Sequence, residues 1–272
     1  MPQDLFSVKD KIVVLTGGLG QLGRQFALAL EERGARVAVL DNRVDEVLVR
    51  QRFGDRARNE RFLFLSADVT VRATLEKALE RIRETWAEPD VLINNAALDS
   101  PPDSAASENG PFETYSESSW DQMMAVNLKG VFLCCQTFGG AMAEAGSGSI
   151  INISSIYGLV SPNQTVYDYR RANGEIFFKP AAYSVSKSGL LNLTRYLSTY
   201  WAEKGVRVNT LTFAGVHNNQ DERFLQGYLR HMPLGRMARE DEYNGAVIFL
   251  ASDASSYMTG ANLIIDGGWT AW

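Results

Sequence analysis

Short runs of apolar residues recur along the chain, and the stretches between them repeat apolar residues every three or four positions. The runs are too short for helices, and several are rich in β-branched residues, which is typical of strands buried on both faces of a parallel sheet. The predicted strands are Ile12–Leu15, Val37–Leu40, Phe62–Leu65, Val91–Ile93, Ile150–Ile153, Val206–Leu211 and Leu263–Ile265.

The stretches between the runs have the period of helices that pack one face on a core. The predicted helices are Arg24–Arg33, Thr74–Trp86, Trp120–Glu144, Ala182–Lys204 and Glu240–Leu250. Because right-handed crossovers place a helix between successive parallel strands, the alternation predicts an α/β fold. We expect a doubly wound parallel sheet (Rossmann fold) of about seven strands, flanked by helices on both faces.

Two long irregular segments, Leu98–Glu117 and Leu159–Pro180, interrupt this alternation. Loops of that length usually serve a site or an interface. No linker or repeat divides the chain, so residues 1–272 are interpreted as a single nucleotide-binding domain that contains both segments.

Composition excludes several classes of partner. Hydrophobic residues make up 45% of the chain, enough for a sizeable core, and the net charge of -5 argues against nucleic acid. The apolar runs are far shorter than the ~20 residues of a membrane span, and no signal segment is recognisable, so we predict a cytoplasmic protein without a membrane partner. Adjacent Cys134 and Cys135, with only His217 and His231, offer no metal-ligand spacing, so no metal is predicted.

A glycine-rich turn joins the first predicted strand to the first helix. It contains the pattern G-x-G-x-x-G at Gly18, Gly20 and Gly23. Glycines let the backbone approach a pyrophosphate, and the following helix N-terminus offers free N–H groups and a favourable dipole. Asp41 ends the second strand, where a carboxylate can bind the adenine ribose hydroxyls and would repel a 2′-phosphate. NAD is therefore favoured over NADP, although Arg43 leaves NADP open.

Tyr183 and Lys187 are four residues apart at the start of a predicted helix, so they share one face, and an ammonium there should lower the pKa of the phenol. Asn94-Asn95-Ala96-Ala97 follows the fourth strand, and Asp266-Gly267-Gly268 forms the tail. With Asn127 and Ser155, these motifs make the chain from about Lys9 to Gly268 resemble the short-chain dehydrogenase/reductase family, in its shorter single-domain branch.

The resemblance implies a catalytic role for four residues. Tyr183 would exchange a proton with the substrate oxygen, Ser155 would hydrogen-bond that oxygen, and Ser154 is the second choice for the serine. Lys187 would also hold the nicotinamide ribose, and Asn127 would steady a water that relays protons to Lys187. The resemblance further implies a homo-oligomer, a tetramer or a dimer.

The same resemblance implies a set of cofactor contacts. Asp68 would contact adenine, Asn95 to Ala97 would line the cofactor, and Val216 would face the carboxamide. The complete set is Gly17, Gly20, Gln21, Leu22, Gly23, Asp41, Asp68, Val69, Asn95, Ala96, Ala97, Tyr183, Lys187 and Val216.

Two departures from the family pattern bear on function. Gln21 stands at the second glycine place of the usual T-G-x-x-x-G-x-G loop, and the resulting loop resembles that of sugar-nucleotide epimerases. Ser155 and Tyr183 are about twice as far apart as is usual, because of an insert at about 159–180. We hypothesise that this insert forms a wall of the substrate pocket, with Arg170 or Arg171 binding an anionic group. A solvated surface or a contact with a neighbouring subunit is the alternative for this charged loop. A mobile cover at about 216–234 would close over the nicotinamide, and His217 is a candidate substrate contact.

The favoured function is hydride transfer between NAD and a secondary alcohol or ketone, with a polar substrate such as a sugar, a polyol or a sugar acid. Two alternatives stay open. The glycine loop fits a sugar-nucleotide epimerase or dehydratase, and a dinucleotide-binding regulatory module could keep the fold without catalysis.

Overall fold

A seven-stranded sheet runs through the centre of the computed structural model, which describes residues 4–99 and 109–272. All of its strand pairs are parallel, in the order β3-β2-β1-β4-β5-β6-β7. The strands are β1 Ile12–Thr16, β2 Arg36–Asp41, β3 Phe62–Ser66, β4 Val91–Asn94, β5 Gly148–Ser155, β6 Val206–Phe213 and β7 Asn262–Ile265. The predicted doubly wound sheet is confirmed.

Helices cover both faces of the sheet. They are α1 Gln21–Glu32, α2 Glu46–Phe53, α3 Arg72–Thr85, α4 (defined below), α5 Asp168–Ala172, α6 Ala181–Tyr200, α7 Glu222–Leu229 and α8 Asn244–Ala251. In α4, the α-helical pieces Glu117–Met124, Val131–Cys134 and Gly140–Ala145 alternate with π-helical turns at Ala125–Gly130 and Cys135–Gly139. Of the irregular segment 98–117, residues 100–108 lie outside the described residues.

Among the described residues, three helices were not predicted, and one starts later than expected. Helix α2 mixes charged and apolar residues without a clear stripe, and α5 and α7 lie inside the insert and the cover. Helix α8 begins at Asn244 rather than Glu240, because the Glu242 carboxylate binds the backbone N–H of Arg239 and the guanidinium of Arg236 in a turn before it.

The buried strands divide their side chains between two cores. Val13 and Leu15 face one cluster with α1 and α8, whereas Ile12 and Val14 face another with α3, α4 and α6. This alternation places apolar residues on both faces of one strand, as a sheet covered on both sides requires.

A third cluster lies beyond the carboxyl ends of β5 and β6. It joins the turn after β5, the insert 159–180, the cover 216–234 and the C-terminal tail. Its buried members are Ile156, Tyr157, Val166, Tyr167, Phe177, Ala214, Tyr228, Met232, Met237 and Trp269, and the ring of Tyr183 packs against it. The insert and the cover therefore share one core beside the predicted catalytic tyrosine.

Within residues 4–99 and 109–272, no helix combines the length and the apolar character of a membrane span. The same residues contain no group of three or more His, Cys, Asp or Glu side chains placed to bind a metal ion. Cys134 and Cys135 are free thiols in the second core, where burial raises the pKa of both.

Candidate active site

The side chains of Ser155, Tyr183 and Lys187 converge where β5 ends and α6 begins. Ser155 is the last residue of β5, and its hydroxyl accepts a hydrogen bond from the backbone N–H of Tyr157 at 3.2 Å. The Lys187 ammonium lies 5.9 Å from the centroid of the Tyr183 ring and donates to the carbonyl of Ile153 at 2.9 Å. The insert lengthens the chain between Ser155 and Tyr183 without separating the two side chains.

Close packing between the turn after β5 and helix α6 fixes this convergence. A Cβ at Gly158 would lie 2.7 Å from the Ser154 hydroxyl oxygen and 2.9 Å from the backbone of Lys187, so only glycine fits. The Ser154 hydroxyl donates to the carbonyl of Lys187, and Ser188 donates to the carbonyl of Gly158. Ser154, the second choice for the catalytic serine, thus holds the helix in place.

Electrostatics around Tyr183 differ from the expectation of a lowered pKa. Burial of the phenol raises its pKa, the negative charge of Asp99 raises it further, and a hydrogen bond with Ser155 lowers it only in part. Desolvation penalises the phenolate more than one hydrogen bond stabilises it. The predicted lowering is therefore wrong, and burial favours the neutral phenol over the phenolate.

The pKa of Lys187 changes in the opposite direction to that of Tyr183. Its side chain is only 4% exposed, and burial lowers the pKa of the ammonium to about 8, although the Asp99 charge opposes this change. A buried ammonium loses hydration that a carbonyl oxygen replaces only in part. Lys187 consequently exchanges its proton close to physiological pH, as suits a group in a proton-transfer site.

Asn127 lies fully buried in the first π-helical turn of α4. Its amide oxygen accepts from the backbone N–H of Leu98 at 2.7 Å, and its amide nitrogen donates to the Leu98 carbonyl at 2.9 Å and to the Ser186 hydroxyl at 3.3 Å. The side chain thus ties the segment after β4 to α6. Its proton-relay role stays a prediction.

The glycine turn is locked against the segment that follows β4. Gly17 has φ of 63°, and a Cβ there would lie 2.8 Å from the Cα of Ala96. Asn95 donates from its amide to the carbonyls of Thr16 and Gly17, both at 3.0 Å. A Cβ at Gly23 would lie 2.2 Å from the carbonyl oxygen of Gly17, so the start of α1 comes as close to the turn as a backbone can.

This arrangement fits a dinucleotide. Gly20 is the N-cap of α1, and a Cβ there would touch only one atom, at 3.3 Å, so the backbone is open toward a ligand. The first N–H groups of α1 carry no intrahelical partners and favour an anion such as a pyrophosphate. Strands β1 and β4, between which the strand order reverses, flank this turn, which is where open α/β sheets bind nucleotides.

Gln21 and Leu22 use their side chains elsewhere. Gln21 is the first residue of α1, and its amide donates to the His217 carbonyl of the cover at 3.3 Å. Leu22 packs on the first core. Both residues were predicted to contact the cofactor. Only their backbone N–H groups, at the N-terminus of α1, point toward the place of a phosphate.

The acidic residues of the predicted adenosine site lie at the ends of β2 and β3. Asp41 accepts from the backbone N–H of Leu19 at 3.1 Å, so its carboxylate faces the glycine turn. Arg43 is paired with Asp45 at 3.2 Å on the surface. Asp68 is exposed and binds the N–H and hydroxyl of Thr70, whereas Val69 packs against the second core.

The two arginines of the insert are engaged within the insert itself. Arg170 binds Glu175 and stacks on Phe177, with its guanidinium carbon 4.6 Å from the ring centroid. Arg171 donates to the carbonyls of Gln164 and Phe177 and pairs with Asp168. Most of the donors of the two arginines hold the loop together, whereas the buried Nη1 atom of Arg170 has no hydrogen-bond partner. Binding of a substrate anion by either arginine stays a prediction.

The cover is fastened to the insert and to the tail. The Tyr228 hydroxyl of α7 accepts from the N–H of Gly215 at 2.9 Å, and its ring stacks on Trp269 with centroids 4.4 Å apart. The His231 ring shares a hydrogen bond of 3.1 Å with the Asn163 amide of the insert. Val216, at the start of the cover, pairs with Ala238 and packs on the first core, and His217 is exposed beside it.

Several residues of the site were not predicted from the sequence. The Thr16 hydroxyl accepts from the N–H groups of Asn95 and Ala96, both at 3.1 Å, and so joins the two halves of the cofactor site. The charge of Asp99 raises the pKa of Tyr183, and Trp269, in the C-terminal tail, is a buried member of the third cluster. Thr16 could have been identified from its place directly before the glycines. Asp99 and Trp269 could not, because they lie in segments without a helical or strand period.

Comparisons with known proteins agree with this geometry. A family model described as enoyl-(acyl carrier protein) reductase matches residues 20–270. D-threitol dehydrogenase of Mycolicibacterium smegmatis is 33% identical to this chain, over 97% of the chain and 95% of that protein. NAD-dependent glycerol dehydrogenase of Listeria innocua is 30% identical, over 97% of this chain and 96% of that protein.

Solved structures are equally similar across the whole chain. A short-chain dehydrogenase from Leptospira borgpetersenii with bound NAD+ superposes with a TM-score of 0.85 and 33% identity, covering 99% of this chain and 96% of that one. A gluconate 5-dehydrogenase from Burkholderia cenocepacia in complex with NADP and tartrate gives a TM-score of 0.84 and 27% identity, covering 99% and 98%.

Proposed function

Because this chain belongs to the short-chain dehydrogenase/reductase family, we propose that it transfers a hydride between NAD and a secondary hydroxyl group of a linear polyol. The protein is an oxidoreductase that acts on alcohol groups. The observation that carries the proposal is the convergence of Ser155, Tyr183 and Lys187 beside a dinucleotide cradle, in a chain whose relatives include threitol and glycerol dehydrogenases.

The proposed roles follow from the geometry. A bound nicotinamide would accept the hydride in alcohol oxidation and supply it in ketone reduction. Ser155 donates a hydrogen bond to the reacting oxygen. The Tyr183 phenol gives its proton to that oxygen during ketone reduction, and the Tyr183 phenolate takes the proton from the hydroxyl group during alcohol oxidation. Lys187, buried and held by the Ile153 carbonyl, stabilises the phenolate and holds the nicotinamide ribose. Asn127 holds the loop that carries Leu98.

We propose NAD rather than NADP as the cofactor. The support is Asp41, whose carboxylate faces the glycine turn, and the pairing of Arg43 with Asp45 away from it. A 2′-phosphate beside Asp41 would meet like charge. Parallel titrations should give NADH at least about tenfold tighter binding than NADPH, and Asp41→Asn should narrow that ratio. If the wild type and Asp41→Asn each bound NADH and NADPH with equal affinity, the assignment of NAD as the cofactor would be wrong.

A spectrophotometric screen tests the proposed reaction. The purified protein is mixed with NAD and a set of alditols, including threitol, glycerol and galactitol, and NADH is measured by its absorbance. We expect NADH to accumulate with at least one alditol and the reverse reaction to consume it with the matching ketose. Turnover of none of them, with cofactor bound, would contradict the polyol assignment.

We also propose a cytoplasmic homo-oligomer, a dimer or a tetramer. Support comes from the exposed aromatic side chains of Tyr196 and Tyr200, which stack on each other at 5.9 Å on the outer side of α6, and from two unpaired buried thiols. Light scattering on the purified protein measures the assembly, and a monomer at micromolar concentration would contradict it.

A further inference from the structure

A buried lysine, paired with an exposed aspartate, lies against the ring of Tyr183. Lys179, the penultimate residue of the insert, is 8% exposed, and its ammonium is 4.7 Å from the centroid of that ring. It donates to the carboxylate of Asp99, which follows β4 and is far more exposed. The insert and the segment after β4 thus meet at the tyrosine through a lysine and an aspartate.

The lysine is held in place by the rest of the insert. The Gln164 amide binds the backbone of Lys179 from both sides: it donates to the Lys179 carbonyl at 3.0 Å and accepts from the Lys179 N–H at 2.9 Å. Arg171 in turn binds the Gln164 carbonyl. Such a clasp fixes the direction of the ammonium before any substrate arrives, and preorganised groups bind with little loss of entropy.

Asp99 faces the interior of the site as well as the solvent. Its charge raises the pKa values of Tyr157, Tyr167 and Tyr183, and also that of Lys187, so it lies within electrostatic reach of all four groups. Lys179 and Asp99 together carry no net charge, and the Lys179 ammonium lies against the ring of Tyr183, which itself packs on the aromatic and aliphatic third cluster. The site presents a donor and an acceptor side by side.

We propose that Lys179 and Asp99 form the specificity site of the enzyme, where they bind the hydroxyl groups next to the reacting carbon of an uncharged polyol. The ammonium donates to one hydroxyl oxygen, and the carboxylate accepts from a hydroxyl of the same substrate. This inference rests on the proposed alcohol dehydrogenase function and names the class of alcohol: neutral alditols rather than sugar acids.

The charge of the pair is the reason for this preference. An ammonium has three N–H donors and a carboxylate has about four acceptor positions, so each group can bind a substrate hydroxyl while it keeps its other partners. A substrate carboxylate would be attracted by Lys179 but repelled by Asp99 at the mouth of the site. The charges of Arg170 and Arg171, which could have compensated for Asp99, are paired with Glu175 and Asp168 of the insert.

Two substitutions separate the two charges. In Asp99→Asn the lysine keeps its charge but loses the partner carboxylate, so kcat/KM for an anionic substrate should rise relative to kcat/KM for a neutral one. In Lys179→Met the long apolar stem is kept and the ammonium is lost, so the neutral polyol loses its donor. Matched controls are Asp121→Asn on α4 and Lys77→Met on α3, both at exposed positions.

The measurement is kcat/KM for threitol and for threonate, a sugar acid of the same length, in all five proteins. We expect the wild type to prefer threitol, Asp99→Asn to lower the threitol-to-threonate ratio at least tenfold, and Lys179→Met to lower kcat/KM for threitol about tenfold, mainly through KM. The controls should match the wild type. An unchanged ratio in Asp99→Asn would overturn the proposal and leave the pair a structural link.

A binding measurement keeps this inference separate from the proposed reaction. Threitol is titrated into the protein with bound NADH, and tryptophan fluorescence is followed, since Trp269 lies in the same cluster. Binding that weakens in Lys179→Met but gives no turnover would support the specificity site and contradict the reaction. Turnover of secondary alcohols without any binding of threitol would overturn the specificity site and leave the dehydrogenase chemistry.

Discussion

Two regions meet at Tyr183, and they hold their side chains by different means. Ser155 and Lys187 lie on a central strand and a long helix, and backbone contacts such as that between Gly158 and Lys187 set their separation. Lys179 lies on the insert, which has one short helix and depends on side-chain links from Gln164 and Arg171. The first region is rigid by secondary structure and the second by its own polar network.

The difference explains how one fold can serve many substrates. A strand and a helix place the proton-transfer groups with little dependence on the surrounding loops, whereas the pocket wall depends on residues that can change together. Catalytic groups on rigid elements and recognition groups on loops are a common division. Substitutions in the first region should therefore lower the turnover of every substrate, and substitutions in the second should weaken substrate binding.

The largest effect is expected from Tyr183→Phe. The phenol is the group that exchanges the substrate proton, so kcat should fall about a thousandfold for every alcohol. NADH affinity and the melting temperature should change little, because the ring and its packing remain. Steady-state kinetics and a parallel NADH titration measure this, with Tyr196→Phe on the exposed side of the same helix as the control. Retained turnover in Tyr183→Phe would end the proposed mechanism.

The next effect concerns Lys187 and pH. Its pKa is about 8 in the folded protein against 10.5 for an exposed lysine, so burial of the ammonium opposes folding below pH 8, and the penalty disappears as pH rises toward 10. Relative to Lys187→Met, the wild type should gain about 2 kcal/mol of unfolding free energy between pH 8 and 10. Denaturant unfolding of both proteins across this range measures it. A difference independent of pH would contradict a buried ammonium.

A smaller effect is expected in the insert. Arg171→Met removes the donors to Gln164 and Phe177, so Lys179 loses its fixed position and KM should rise about tenfold with little change in kcat. The rise should be similar for neutral and anionic substrates, because Arg171 acts on the loop. Arg50→Met, at an exposed position of α2, is the control. A loss confined to anionic substrates would instead make Arg171 a direct ligand.

Regular spacing made the catalytic centre predictable. Ser155 was assigned through the resemblance to the family, whereas Tyr183 and Lys187 share a helix face because four residues complete about one turn. The glycine turn was predictable for a similar reason, since the close contact between Gly23 and Gly17 tolerates no side chain. In each case the relation between residues is local along the chain.

The insert was less predictable, because its contacts join distant parts of the chain. Arg170 and Arg171 stood out as charges, but a sequence does not show that Glu175 and Asp168 fold back onto them. The raised pKa of Tyr183 was missed for the same reason, since it comes from burial and from Asp99, whose approach depends on how two loops pack.

The sequence by itself determined the strand and helix alternation, the dinucleotide turn and the pairing of Tyr183 with Lys187, because short-range periodicity and steric limits encode each of them. Only the tertiary structure decided that Lys179, paired with Asp99, lies over the Tyr183 ring and that the cover is fastened through Tyr228 and Trp269. Those contacts link segments far apart in the chain, and their geometry arises only when the third core closes.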